Sequence, residues 1–130
     1  MQFQDFYTEL GKLLYAVAKV DGVITKEERK SLMVIVEKEL APLEGSTDEF
    51  GTDAAFITKF EFDVLEEQMI PVEDAFNDFI DFVDQHQQAF KPHIKNICIR
   101  VTEQLADAYH GTNKKEHALI EKLKNKLATV

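Results

Sequence analysis

The chain has no tryptophan, one cysteine, three prolines and five glycines in 130 residues. Each scarcity excludes something. A lone thiol, Cys98, cannot close an intramolecular disulfide or build a cysteine-based zinc centre. Within Ile97-Cys98-Ile99 it reads as a small core residue rather than a nucleophile. Few helix breakers, with Val and Ile outnumbered by Leu, Ala, Glu and Lys, favour helix over sheet. Long apolar runs are missing too. The uncharged stretch Leu13 to Ala18 falls far short of the roughly 20 residues a membrane span needs. Asp5 and Glu9 stand where an export signal requires a basic start and an apolar run. The expected setting is therefore cytoplasmic, without a membrane partner.

Positive charge is scarce in one region only. Residues 44–84 hold thirteen acids and a single base, Lys59, whereas residues 1–43 are nearly balanced and residues 85–130 carry a net +4 within a total of −9. Such a middle third repels phosphate backbones and anionic lipid and attracts cations or basic proteins. No nucleic-acid partner is expected; a basic protein partner is.

Apolar residues make up 45% of the chain, and ten are Phe, enough for one globular all-α domain over residues 1–130 with a phenylalanine-rich core. The periodicity predicts six or seven helices, arranged as two helical hairpins flanking a central pair. The first covers 2–19, with Phe3, Phe6, Tyr7, Leu10, Leu13, Leu14 and Val17 as its apolar stripe. The second follows Thr25 and stops at Pro42. Residues 42–52, rich in Gly, Ser and Thr, read as a loop. A third helix is expected from about Asp53 to Met69, with Phe56, Ile57, Phe60, Val64 and Leu65 as its apolar set, Phe62 off that face and a break near 60–62. Pro71 suits the first turn of a fourth helix to 89, and Pro92 that of a fifth to 109. A turn at His110-Gly111-Thr112-Asn113 leads to a sixth over 114–128.

The densest motif is Leu13–Leu32, LLYAVAKVDGVITKEERKSL. Asp21-Gly22 forms a turn, Ile24 clasps it, and Thr25 with Glu28 makes the S/T-x-x-E capping box. The spacing matches the second half of a calcium loop, but Val17 and Lys19 occupy the first two ligand positions and exclude an EF-hand. Asp21 and Glu28 thus have two accounts: turn and cap, or metal ligands. Shifted by 88 residues, Thr25 meets Asn113, Glu28 meets Glu116 and Leu32 meets Ile120, a faint internal repeat in which Tyr109-His110 replaces Asp21-Gly22. On the fourth helix Asp74, Asp78, Asp81 and Asp84 share one face away from the Phe side. Their mutual repulsion works against the helix, which suits a weak cation surface or a dock for a basic partner. Asp107 and His110 lie one turn apart. No nucleophile elbow, phosphate loop or H-E-x-x-H is present.

Leu14, Ala16, Ala18, Asp21, Gly22, Ile24 and Glu28 together resemble the signature of the TerB-like family of tellurite-resistance and related bacterial proteins. The resemblance is specific at 13–32, loose at 53–90 and degraded at 101–128. It implies an all-helical domain of six to eight helices, an acidic site proposed to bind divalent metal, and a link to stress response rather than a defined catalytic step. The expected metal residues are Asp21, Glu28, Asp78 and Asp81, with hard oxygen donors suited to Ca²⁺, Mg²⁺ or Mn²⁺. The alternatives are a non-catalytic adaptor that docks a basic protein on Asp74, Asp78, Asp81 and Asp84 or on exposed aromatics of 50–62, and a carboxylate-metal hydrolase.

Overall fold

The computed structural model describes residues 1–41, 48–108 and 113–130, and the side chains of 48–52 lie outside that description. The expected 42–52 loop and the turn at His110 fall largely outside it as well. The described residues form six α-helices and no strand: α1 (Phe3–Lys19), α2 (Lys26–Leu40), α3 (Asp48–Gln68), α4 (Val72–Gln85), α5 (Pro92–Ala106) and α6 (Lys114–Ala128). A 3-10 turn at Gln87–Ala89 takes the place of the last turn expected for α4. α5 ends at Ala106, with Asp107 as its C-cap, rather than at 109.

α1 is the axis of the bundle. It packs against α3, α4, α5 and α6, while α2 packs on α3 and α5. This explains why its burial is wider than the stripe read from sequence. Tyr15, Ala16 and Ala18 are buried along with Leu13, Leu14 and Val17, whereas Phe3 is 37% exposed at the helix start. A helix enclosed on several sides must be apolar on several sides. The phenylalanine core is real: the Phe6, Phe79 and Phe82 rings meet Phe90 edge-on with centroids 6.1, 6.3 and 6.2 Å away. Tyr15 stacks edge-on against Phe62 and donates its hydroxyl to the Ile70 carbonyl at 2.7 Å.

α3 departs most from expectation. It starts at Asp48 rather than Asp53, and it runs unbroken through 60–62. Its buried face is Ala54, Ala55, Thr58, Phe62 and Leu65, while Phe56 and Phe60 are 58% and 70% exposed. Gly11 gives the physical reason. A Cβ there would stand 2.6 Å from the Thr58 carbonyl oxygen and 3.0 Å from the Glu61 Cβ, so the α1 and α3 backbones are nearly touching. Only the small-residue side of α3 can approach that closely, and Thr58 completes the contact by donating its hydroxyl to the Tyr7 carbonyl at 2.9 Å. α3 ends with Met69 in the left-handed region at φ 56°, and Pro71 then opens α4 as its N-cap.

Candidate functional site: two helix caps in contact

The turn after α1 is built by its own residues. Gly22, at φ +94°, takes a conformation open to glycine and strained for most others, and its amide donates to the Lys19 carbonyl at 2.7 Å. Asp21 accepts the Val23 amide at 3.1 Å, an Asx turn, and Ile24 is buried beneath. The capping box then closes as read from sequence. The Glu28 amide donates to the Thr25 hydroxyl oxygen at 3.0 Å, and the Glu28 carboxylate accepts the Thr25 amide at 2.9 Å and its hydroxyl at 3.0 Å.

α6 repeats the device. The Glu116 amide donates to Asn113 Oδ1 at 2.9 Å, and the Glu116 carboxylate accepts the Asn113 amide at 3.2 Å. The fold then sets the two caps against each other. Asn113 Nδ2 donates to Asp21 Oδ2 at 2.7 Å, across 92 residues of sequence. Glu28 and Glu116, only 4% and 3% exposed, are hydrogen-bonded through their carboxyl groups. Among the described residues neither forms an ion pair with Lys, Arg or His.

The electrostatics follow from that arrangement. Burial pushes the Glu116 carboxyl up to about 7; the charges of Glu28 and Asp21 and the hydrogen bond to Glu28 add to the rise, against the Asn113 amide. Burial also raises Glu28, opposed by the Thr25 amide and hydroxyl, with Asp21 adding to the rise and the contact with Glu116 lowering it. Two carboxyl groups in contact and out of water cannot both ionise without a large cost, so the pair favours holding one proton between them.

The other sequence candidates lie elsewhere. Asp78 is beside Lys12 Nζ, at 3.5 Å, about two turns or roughly 10 Å of helix axis before the end of α1 at Lys19. Asp84 pairs with Lys126 at 2.5 Å. Asp74 and Asp81 share the exposed side of α4 with them. The stripe is thus a solvent-facing surface, with two of its four acids already paired within the chain. Among the described residues no three His, Cys, Asp or Glu side chains are grouped as a metal centre. His86 packs its ring on Phe82, with centroids 4.5 Å apart. Cys98 is fully buried, and that burial drives its thiol pKa upward, away from nucleophilic use.

Asn113 and Glu116 were outside the candidate set read from sequence, although the 88-residue shift aligns them with Thr25 and Glu28. The local signal was the second capping box; the contact itself depends on how the hairpins pack. No family model, curated protein or solved structure matches this chain. Among the described residues no helix is long and apolar enough to cross a membrane.

Proposed function

We propose that the chain is a non-catalytic binding module that takes a divalent cation between the caps of α2 and α6, in keeping with the TerB-like resemblance at residues 13–32. One observation supports the reading above others: two buried carboxyl groups in contact, Glu28 and Glu116, whose like-charge repulsion a shared proton relieves. A cation can take the proton's place. The donor chemistry fits, because the groups are hard oxygens and suit Mg²⁺, Ca²⁺ or Mn²⁺ rather than a thiophilic metal. Glu28 and Glu116 would hold the ion. Asp21 is close enough for its charge to act on both, but its carboxylate is engaged by the Val23 amide and by Asn113, so it joins only by releasing Asn113. A bound ion would supply charge neutralisation at the seam between the starts of α2 and α6.

The test is calorimetric titration of chelator-treated protein with Ca²⁺, Mg²⁺, Mn²⁺ and Zn²⁺ at pH 6 and pH 8. Expected is one oxygen-preferring ion bound, more tightly at pH 8, with protons released into buffer at pH 6 because the ligand must lose its proton. The heat should vanish in Glu28→Gln/Glu116→Gln. No heat and no thermal shift at millimolar metal at either pH would sink the reading.

A further inference from the structure

On the exposed side of α3, Phe56 and Phe60 stand one helical turn apart, 58% and 70% exposed. They line an open hollow of about 690 Å³ together with Ile57, Met33 of α2 and Thr8 of α1, and with the charged Lys59, Glu61 and Asp63. Nothing in the α1–α3 packing requires the rings. The buried side of α3 is complete without them, because Ala54, Ala55, Thr58, Phe62 and Leu65 fill it. Isolated exposed apolar residues are ordinary, but two aromatics on one ridge above an apolar hollow form a patch of the kind found where proteins meet.

Charge narrows the occupant. α3 carries seven acids and one base over its length. That base, Lys59, is held by Asp63 at 2.5 Å. The nearest base on α1, Lys12, is likewise held, by Glu9 at 2.8 Å. Asp53 and Glu67 remain exposed on the same helix. Negative charge therefore flanks the ridge along the exposed side of α3, at Asp53 and Glu67, and Glu61 lines the hollow itself. Its shape narrows the occupant further: aromatics spaced at i and i+4 form a ridge that fits the groove between rows of side chains on another helix. A second copy of this chain is a poor candidate. Its basic helix, α6, already buries Leu119, Ile120, Leu123 and Leu127 in its own core and has no free apolar face to offer.

We infer that the Phe56/Phe60 ridge of α3 is a docking site for an amphipathic helix of another protein, apolar on the face that meets the rings and flanked by Lys or Arg. The surface is separate from the seam between α2 and α6, and the inference stands whether or not that seam binds metal.

The experiment is selection of helix-forming 16-residue peptides, displayed with net charges from acidic to basic, on the full chain and on Phe60→Ser. The enriched peptides are then measured by fluorescence anisotropy. Expected is enrichment of amphipathic, net-basic peptides on the parent chain only. Their affinity should fall at least tenfold in Phe60→Ser and several-fold in Asp53→Lys/Glu67→Lys, with the melting temperature of Phe60→Ser unchanged. Enrichment of neutral or acidic peptides, or no enrichment that depends on Phe60, would overturn the inference. So would a concentration-dependent dimer abolished by Phe60→Ser, which would assign the face to a second copy. A melting temperature lowered by more than about 5 °C would show the ring already covered by its own chain.

Discussion

Replacing Glu116 by Gln tests the shared proton directly. The amide keeps the shape, still accepts the Asn113 amide as a capping-box residue, and offers a permanent N–H to Glu28 where the native chain needs a proton. The magnitude comes from linkage. Glu116 has an ordinary carboxyl pKa of 4.5 when unfolded and about 7 in the fold. Between those values the native state holds a proton that the unfolded chain has lost, so stability falls as pH rises. At 1.36 kcal/mol per factor of ten in proton affinity, the rise from 4.5 to about 7 amounts to roughly 3 kcal/mol, present below pH 4.5 and gone above pH 7. Glu28 shifts in the same direction, but the pair shares one proton and is counted once. Urea unfolding of chelator-treated protein at half-unit steps from pH 4.5 to 8.5 would measure it. The native protein should lose about 3 kcal/mol more than Glu116→Gln across that window, and at pH 8 the variant should be the more stable of the two. The difference between the two curves isolates this site from Glu9, whose burial also raises its pKa. Parallel curves, or a variant less stable at pH 8, would refute the shared proton.

Two further outcomes follow from the same geometry. Asn113→Asp keeps an equally good helix cap but turns the donor that holds Asp21 into a fourth acid; at pH 8 it should cost about 2 kcal/mol, measured by urea unfolding, and millimolar Mn²⁺ should recover part of the loss. Gly11→Ala puts a methyl group 2.6 Å from the Thr58 carbonyl oxygen. It should destabilise by about 1–3 kcal/mol despite alanine's better helix propensity, and a thermal melt that rises instead would show that α1 and α3 are farther apart than described.

The parts of the fold that were readable in sequence are those fixed by neighbours in the chain. Gly22, Thr25 with Glu28, and Asn113 with Glu116 set the starts of α2 and α6 because a cap satisfies its own helix's amides and needs no distant partner. The orientation of α3 was not readable in the same way. Its apolar residues include Phe56 and Phe60 on one face and Phe62 nearly opposite them, so periodicity alone does not choose a face. The choice is made by Gly11 on another helix, which admits only Ala54, Ala55 and Thr58. Small residues facing a glycine were the available signal, weaker than three phenylalanines. Asp78 and Asp81 were grouped with Asp21 by charge, whereas the fold sets Asp78 beside Lys12. Glu116 lay in the half of the repeat that lacks Asp-Gly, yet the repeated feature that matters is the cap.

The seam also has an electrostatic logic that neither helix start has alone. Each helix N-terminus carries roughly half a positive charge, and a glutamate at the third position of the first turn is placed to offset it. α2 and α6 each bring one such end and one such glutamate to the same place. With both carboxylates ionised, the two charges exceed the roughly +1 from the two helix ends, and Asp21 adds a third. The helix ends alone would lower both pKa values, but Glu116 is raised, so desolvation and like charge prevail over the dipoles. One added positive charge, proton or cation, brings the two glutamates and the two helix ends close to neutral. A single glutamate facing a single helix end has no such deficit. An added positive charge is therefore favoured only where the starts of α2 and α6 meet, and separating them would remove that preference.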